Sequence, residues 1–231
     1  MHLDLLSGGA ARGLVNAMQG AFTSATGCEL RATFSAVGAM QDKLLAGEAC
    51  DLVILTAPMV DALARSGHVL GDSIAALGSV ATGIAVRSSD AVPGVANADA
   101  LRQTLRAAAA IYVPDTVRST AGIHVLKVLR LLEIDVEVAA RLREFPNGAT
   151  AMAALARSTD SAPIGLTQAS EIIATPGVVL VASLPPGFEL ETVYVVGVCV
   201  SAREPALARN FAQLLASPQS AAVRARCGFD D

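Results

Sequence analysis

The stretch Arg31–Pro58, RATFSAVGAMQDKLLAGEACDLVILTAP, limits the fold more than any other part of the chain. It opens with a β-type run, Leu30–Ser35, and turns at Ala36–Gly38 into a helical pattern. Val37, Met40 and Leu44 fall at i, i+3 and i+7, which places them on one apolar helix face. Gly47 stands where a left-handed helix end is expected. Leu52–Leu55 is then a continuous apolar run, the signature of a parallel strand covered on both faces. Thr56-Ala57-Pro58 starts another helix with proline in its first turn. Strand, turn, helix, strand, turn, helix is a right-handed βαβα unit. Its turns carry Ser35 and Thr56 at the carboxyl ends of the strands, where open α/β sheets bind ligands.

The same alternation runs through the rest of the chain. Leu3–Leu6 reads as a strand, followed by Ser7-Gly8-Gly9 and a helix that Gly27 closes. This SGGAARG segment lacks the spacing and the lysine of a phosphate loop. Its glycines still let backbone N–H groups approach a ligand, the alternative being a plain tight turn. Further on, PDTVRSTAGIHVLKVLRLLEI places a turn at Pro114–Ser119 and a helix N-cap at Thr120. Ile123, Leu126, Leu129 and Leu132 are its expected apolar face. Long strands with an internal glycine are expected at 79–87 and 191–200. If both cross between lobes, residues 1–82 and 196–231 form one lobe and 83–195 the other.

Composition narrows the function. With 231 residues and 53% hydrophobic content, the chain supplies a full core. No apolar run approaches the roughly 18 residues of a membrane span, so no membrane insertion is expected. A net charge of −4, with no basic run, argues against nucleic acid as a partner. Cys28, Cys50, Cys199 and Cys227 show no metal-ligand spacing and read as reduced thiols, and no cofactor is implied. The chain enters its first strand with no basic and apolar leader ahead of it. Taken literally that places it in the cytoplasm, whereas a mature form with its signal removed would be periplasmic.

SGGAARGL, FSAVGAMQDKLLAGEACDLVILTAP, the PD…STAGIH segment and IGLTQASEI together resemble the periplasmic-binding-protein type 2 superfamily. Within it, the molybdate-binding-like solute receptors of ABC importers are the most similar branch. The resemblance covers essentially the whole chain. It implies a two-lobed α/β fold, mostly parallel sheets with helices on both faces, and two crossover strands as hinge. It also implies a small anionic ligand in the inter-lobe cleft and, for an exported protein, an ABC permease as partner. The family's first oxyanion-binding serine matches Ser7, with Gly8 beside it. The second falls at Ser35 or Ala36. The second-lobe backbone donor matches Ala121, flanked by Ser119 and Thr120, and a further donor is expected at Asn147–Ala149. Gln168 stands where the molybdate site's closing tyrosine belongs, which counts against molybdate itself.

Ser7, Ser35, Thr56, Ser119 and Thr120 could each be simple helix caps. Taken together at ligand-side turns, they suit a desolvated anion, which needs several donors at once. Arg118 could clamp a carboxylate bidentately. Two function classes therefore stay open. One is a receptor for an organic carboxylate or tetrahedral oxyanion. The other is a cofactor-independent isomerase of a small di- or tricarboxylate, of the aconitate isomerase kind, with His124 as acid–base candidate.

Overall fold

In the computed structural model, which describes residues 1–230, strands and helices alternate along the chain. Strand β1 (His2–Gly8) leads through a 3-10 turn into helix α1 (Arg12–Thr26), followed by β2 (Glu29–Ser35), α2 (Val37–Leu45), β3 (Leu52–Thr56) and α3 (Ala57–Arg65). Then come β4 (Ala75–Arg87), α4 (Ala98–Ala107), β5 (Ile111–Pro114), α5 (Thr120–Leu131) and α6 (Asp135–Val138). The middle continues with β6 (Leu142–Phe145), α7 (Gly148–Arg157), β7 (Ile164–Gln168), α8 (Ala169–Ile173) and β8 (Val178–Ser183). Strand β9 (Glu191–Val198) leads to α9 (Pro205–Ala216) and α10 (Ala221–Arg226). No described helix is long and apolar enough to cross a membrane.

The chain divides into two compact units. One comprises Met1–Val80 and the segment from Val193 on; the other is Ala81–Thr192. Strands β4 and β9 contain the two boundaries.

In the first unit the βαβα pattern folds as its spacing predicts. Val37, Met40 and Leu44 are buried, and Leu52–Leu55 has no exposed surface. Gly27 and Gly47 both take positive φ, 69° and 85°, the left-handed conformation that ends a helix without a Cβ clash. Strand β1 lies between β2 and β3, parallel to both, with Gly8 opposite Ser35 and Ser7 opposite Ile54. The carboxyl ends of three strands thus lie side by side. Strand β9 joins the far side of β3 antiparallel, with Thr56 opposite Tyr194. Phe22 of α1 packs on Phe211 of α9, ring centroids 4.9 Å apart, so the C-terminal segment closes the same core.

In the second unit β5 lies between β6 and β7, parallel to both, and β4 joins β7 and β8 antiparallel. Alternating residues of β5 serve opposite sheet faces. Ile111 and Val113 pack with Val125, Val128 and Leu129 of α5, whereas Tyr112 packs with Met152 and Leu155 of α7. The expected face of α5 needs correction. Ile123 is 51% exposed, and the buried face is Ala121, Val125, Val128, Leu129 and Leu132. A strict spacing of three drifts around a helix of 3.6 residues per turn, so Ile123 and Leu132 cannot share a face.

Candidate functional site

The three adjacent strand ends of the first unit carry the candidate anion seat. Ser7 is fully buried and its Oγ donates to the Gly8 carbonyl at 2.9 Å. A Cβ on Gly8 would stand 2.7 Å from Val37 Cγ1 and 3.3 Å from Tyr194 Cε1, so only glycine lets the turn sit this close to α2 and β9. Ser35 is the last residue of β2, and Ala36 takes the N-cap position of α2. Thr56 takes the N-cap position of α3, yet its side chain makes no cap hydrogen bond. Both helices therefore start without a side-chain cap, leaving first-turn N–H groups with no partner inside their own helix. These are the positive ends of the helix dipoles. Arg12, the first residue of α1, has its guanidinium 5.8 Å from the centroid of the Phe34 ring.

In the second unit the starts of α5 and α7 differ in carrying side-chain caps. Ser119, not Thr120, is the N-cap of α5; its Oγ accepts from the Gly122 N–H at 3.4 Å, and Thr120 is the first helical residue. The reason lies one turn earlier. The Asp115 carboxylate accepts from the N–H groups of Val117 and Arg118, at 2.8 and 2.7 Å, which closes the turn one residue sooner than the spacing implied. Arg118 is exposed in that turn and Ala121 is buried at the second helical position. The His124 imidazole meets the Phe188 carbonyl at 2.7 Å through Nε2. A carbonyl only accepts, so Nε2 carries the proton and any basic role falls to Nδ1.

Asn147 caps α7 through a reciprocal pair with Thr150, its side-chain oxygen accepting from the Thr150 N–H at 2.9 Å. Against Gly148, at the start of α7, lies the carboxylate of Glu171, a residue that no spacing in the sequence singled out. Its carboxylate is buried, and burial pushes its pKa up. The Thr167 hydroxyl, 2.6 Å away, and the N–H groups of Ala149, Gly148 and Gln168 pull it back, but the net direction is upward. A Cβ on Gly148 would collide with Glu171 Oε2 and Thr167 Oγ1, so any other residue here would displace both side chains. Gln168 donates from Nε2 to Thr192 Oγ1 at 3.1 Å, both residues buried. Thr82 is opposite Gln168 on β4, and its buried hydroxyl has no hydrogen-bond partner. The one available signal for Glu171 was a carboxylate inside the mostly apolar run ASEIIA.

A second buried carboxylate, Asp51, lies in the first unit. Burial raises its pKa, but Arg203 and the N–H groups of Asp4 and Arg203 outweigh that and hold it below the usual carboxylate range. The Arg203 guanidinium is 2.9 Å from Asp51 Oδ2, and the two N–H donors are each at 2.7 Å.

A family model described as bacterial extracellular solute-binding protein matches residues 3–230. The chain belongs to this family. Aconitate isomerase from a Pseudomonas species is 30% identical over 225 residues, 95% of this chain and 84% of that protein. Among solved structures, the periplasmic molybdate-binding protein of Azotobacter vinelandii matches with a TM-score of 0.80 at 17% identity, covering 99% of each chain. The sulfate-binding protein of Mycobacterium tuberculosis matches with a TM-score of 0.77 at 18% identity, covering 99% of this chain and 86% of that one. These likenesses establish the α/β fold of periplasmic binding proteins for this member of the solute-binding family.

Proposed function

We propose that this solute-binding protein is a receptor that captures a small anion, an organic carboxylate or a tetrahedral oxyanion, in the periplasm for an ABC-type importer. The observation that carries the reading is the pair of uncapped helix starts, α2 at Ala36 and α3 at Thr56, beside the Ser7-Gly8 turn at neighbouring strand ends. Such a seat offers several N–H and O–H donors without adding charge, which a desolvated anion needs. Rotation of the Ser7 hydroxyl away from the Gly8 carbonyl would add one more. In the second unit, Arg118, Ser119, Thr120 and Ala121 are the candidates for completing the anion's coordination, with Asn147 and Gln168 as further polar candidates. The molybdate- and sulfate-binding neighbours support an anion of this size.

One observation favours a second reading. The 30% identical relative is an aconitate isomerase, which supports a tricarboxylate ligand and proton transfer on it. Mass spectrometry of ligand released from freshly purified protein, followed by a thermal-shift series with di- and tricarboxylates, sulfate, phosphate and molybdate, tests the receptor reading. A ligand at 100 times its Kd should add about 2.7 kcal/mol of stability. No shift with any of these anions would remove it. Proton NMR of cis- and trans-aconitate incubated with the protein in deuterated water separates the two readings. A receptor returns both unchanged; exchange at carbon or a new isomer establishes the enzyme.

A further inference from the structure

Cys50 and Cys199 are 149 residues apart in the sequence but meet in the core of the first unit. Cys50 precedes β3 and Cys199 follows β9, two strands already joined in antiparallel register from Leu52–Val198 to Thr56–Tyr194. The ladder continues past the strands, because the Cys199 N–H donates to the Asp51 carbonyl at 2.9 Å. The two Sγ atoms are 3.5 Å apart, and the Cys50 thiol donates to the Leu52 carbonyl at 2.9 Å. Both residues are buried, yet they differ in access. Cys50 borders a cavity of about 440 Å³ lined also by Gly47, His68, Ser201 and Arg203, and Cys199 does not.

We propose that Cys50 and Cys199 are an oxidisable pair that closes into a disulfide when the protein meets an organic disulfide as oxidant. The Cys50 thiolate attacks one sulfur of that oxidant from the cavity side, forming a mixed disulfide and releasing one thiolate. The Cys199 thiolate then attacks Cys50 Sγ and expels the second oxidant thiolate. Two protons leave the protein, and its two electrons end on the oxidant as two thiols. The sulfurs must close from 3.5 Å to about 2.05 Å, a short movement for two side chains whose backbones are held close by the pairing of Cys199 with Asp51, the neighbour of Cys50. The Cys199 thiol is pushed up by its hydrogen bond to Cys50, by burial and by the nearby Asp51 charge, which fits the role of second attacker.

The bond would enclose everything between residues 50 and 199, including all of the second unit. It would tie together two strands of the first unit that the chain otherwise connects only through that long excursion. A cross-link over so long a loop restricts the unfolded chain strongly. It also suits a protein from an extracellular family, since such bonds persist in oxidising compartments.

The test is to incubate the whole protein with oxidised glutathione or with dithiothreitol, denature it, alkylate free thiols and map the peptides. Oxidation should leave two of the four cysteines alkylatable, lower the intact mass by two hydrogens and link the Cys50 and Cys199 peptides. The melting temperature should rise by roughly 5 °C or more over the reduced form. The Cys199→Ser variant should stop at a glutathione adduct on Cys50, and Cys50→Ser should take up no cross-link. Four alkylatable thiols after oxidation, a persistent glutathione adduct on the unaltered protein, or a link through Cys28 or Cys227 would each overturn the proposal. If either serine variant fails to fold, the peptide map of the unaltered protein decides alone.

Discussion

The two units differ at four of their helix starts. In the first, α2 and α3 begin at Ala36 and Thr56 with no side-chain cap. In the second, Ser119 caps α5, Asn147 caps α7, and the Glu171 carboxylate lies against Gly148 in the first turn of α7. A helix N-terminus favours a negative charge whether it arrives as a ligand or is built into the chain. At α7 the protein places a carboxyl group of its own. At α2 and α3 no side chain caps the first turn, and it is there that the proposed receptor function puts an external anion. The buried carboxylates repeat the contrast. Asp51 is held ionised by a guanidinium, whereas Glu171 has hydroxyl and amide dipoles that do not fully offset its burial.

The largest effect should come from Gly148→Ala. A methyl group there would displace Glu171 and Thr167 together, and we expect a loss of about 3 kcal/mol in urea melts. A loss no larger than that of an ordinary surface substitution would mean that Glu171 does not seat on α7. Next is Asp51→Asn, which leaves Arg203 without its buried carboxylate. Because Arg203 is 49% exposed, solvent takes up part of the loss, and about 2 kcal/mol is expected.

The pH dependences of these two carboxylates should have opposite signs. Asp51 has a lowered pKa, so its contribution is present above the ordinary carboxylate range and is lost as pH falls through its own value. Glu171 has a raised pKa, so its contribution is present below that range and is lost as pH rises through its own value. Chemical melts of Glu171→Gln against the unaltered protein should therefore show the variant gaining relative stability as pH is raised from acid to neutral. A relative loss over that interval would reverse the assignment.

Two smaller substitutions separate binding from capping. Thr56→Val removes a hydroxyl that caps nothing, so melting should hardly change while anion affinity falls about tenfold, or 1.4 kcal/mol, in calorimetric titration. Unchanged affinity would take Thr56 out of the seat. Ser119→Ala removes a real but long cap bond, and about 0.5 kcal/mol of stability should go with it. A fall in affinity from Ser119→Ala well beyond that would show that the second unit's turn holds the anion as well.

The order of strands and helices could be read directly from the sequence. The periodicity of Val37, Met40 and Leu44, the apolar run Leu52–Leu55 and the glycines at 27 and 47 are local signals, and helices and strands form through local spacing. The strand-end positions of Ser7, Ser35 and Thr56 followed from the same rule. Tertiary structure decided how each polar group is satisfied. Ser119 rather than Thr120 became the cap because Asp115 closes the turn. Glu171 found the start of α7 more than twenty residues away, Asp51 found Arg203 across 152 residues, and Cys50 came to lie against Cys199. Such pairs leave no periodic trace, because nothing in the spacing of residues along a chain records which distant segment its buried charges and thiols will meet.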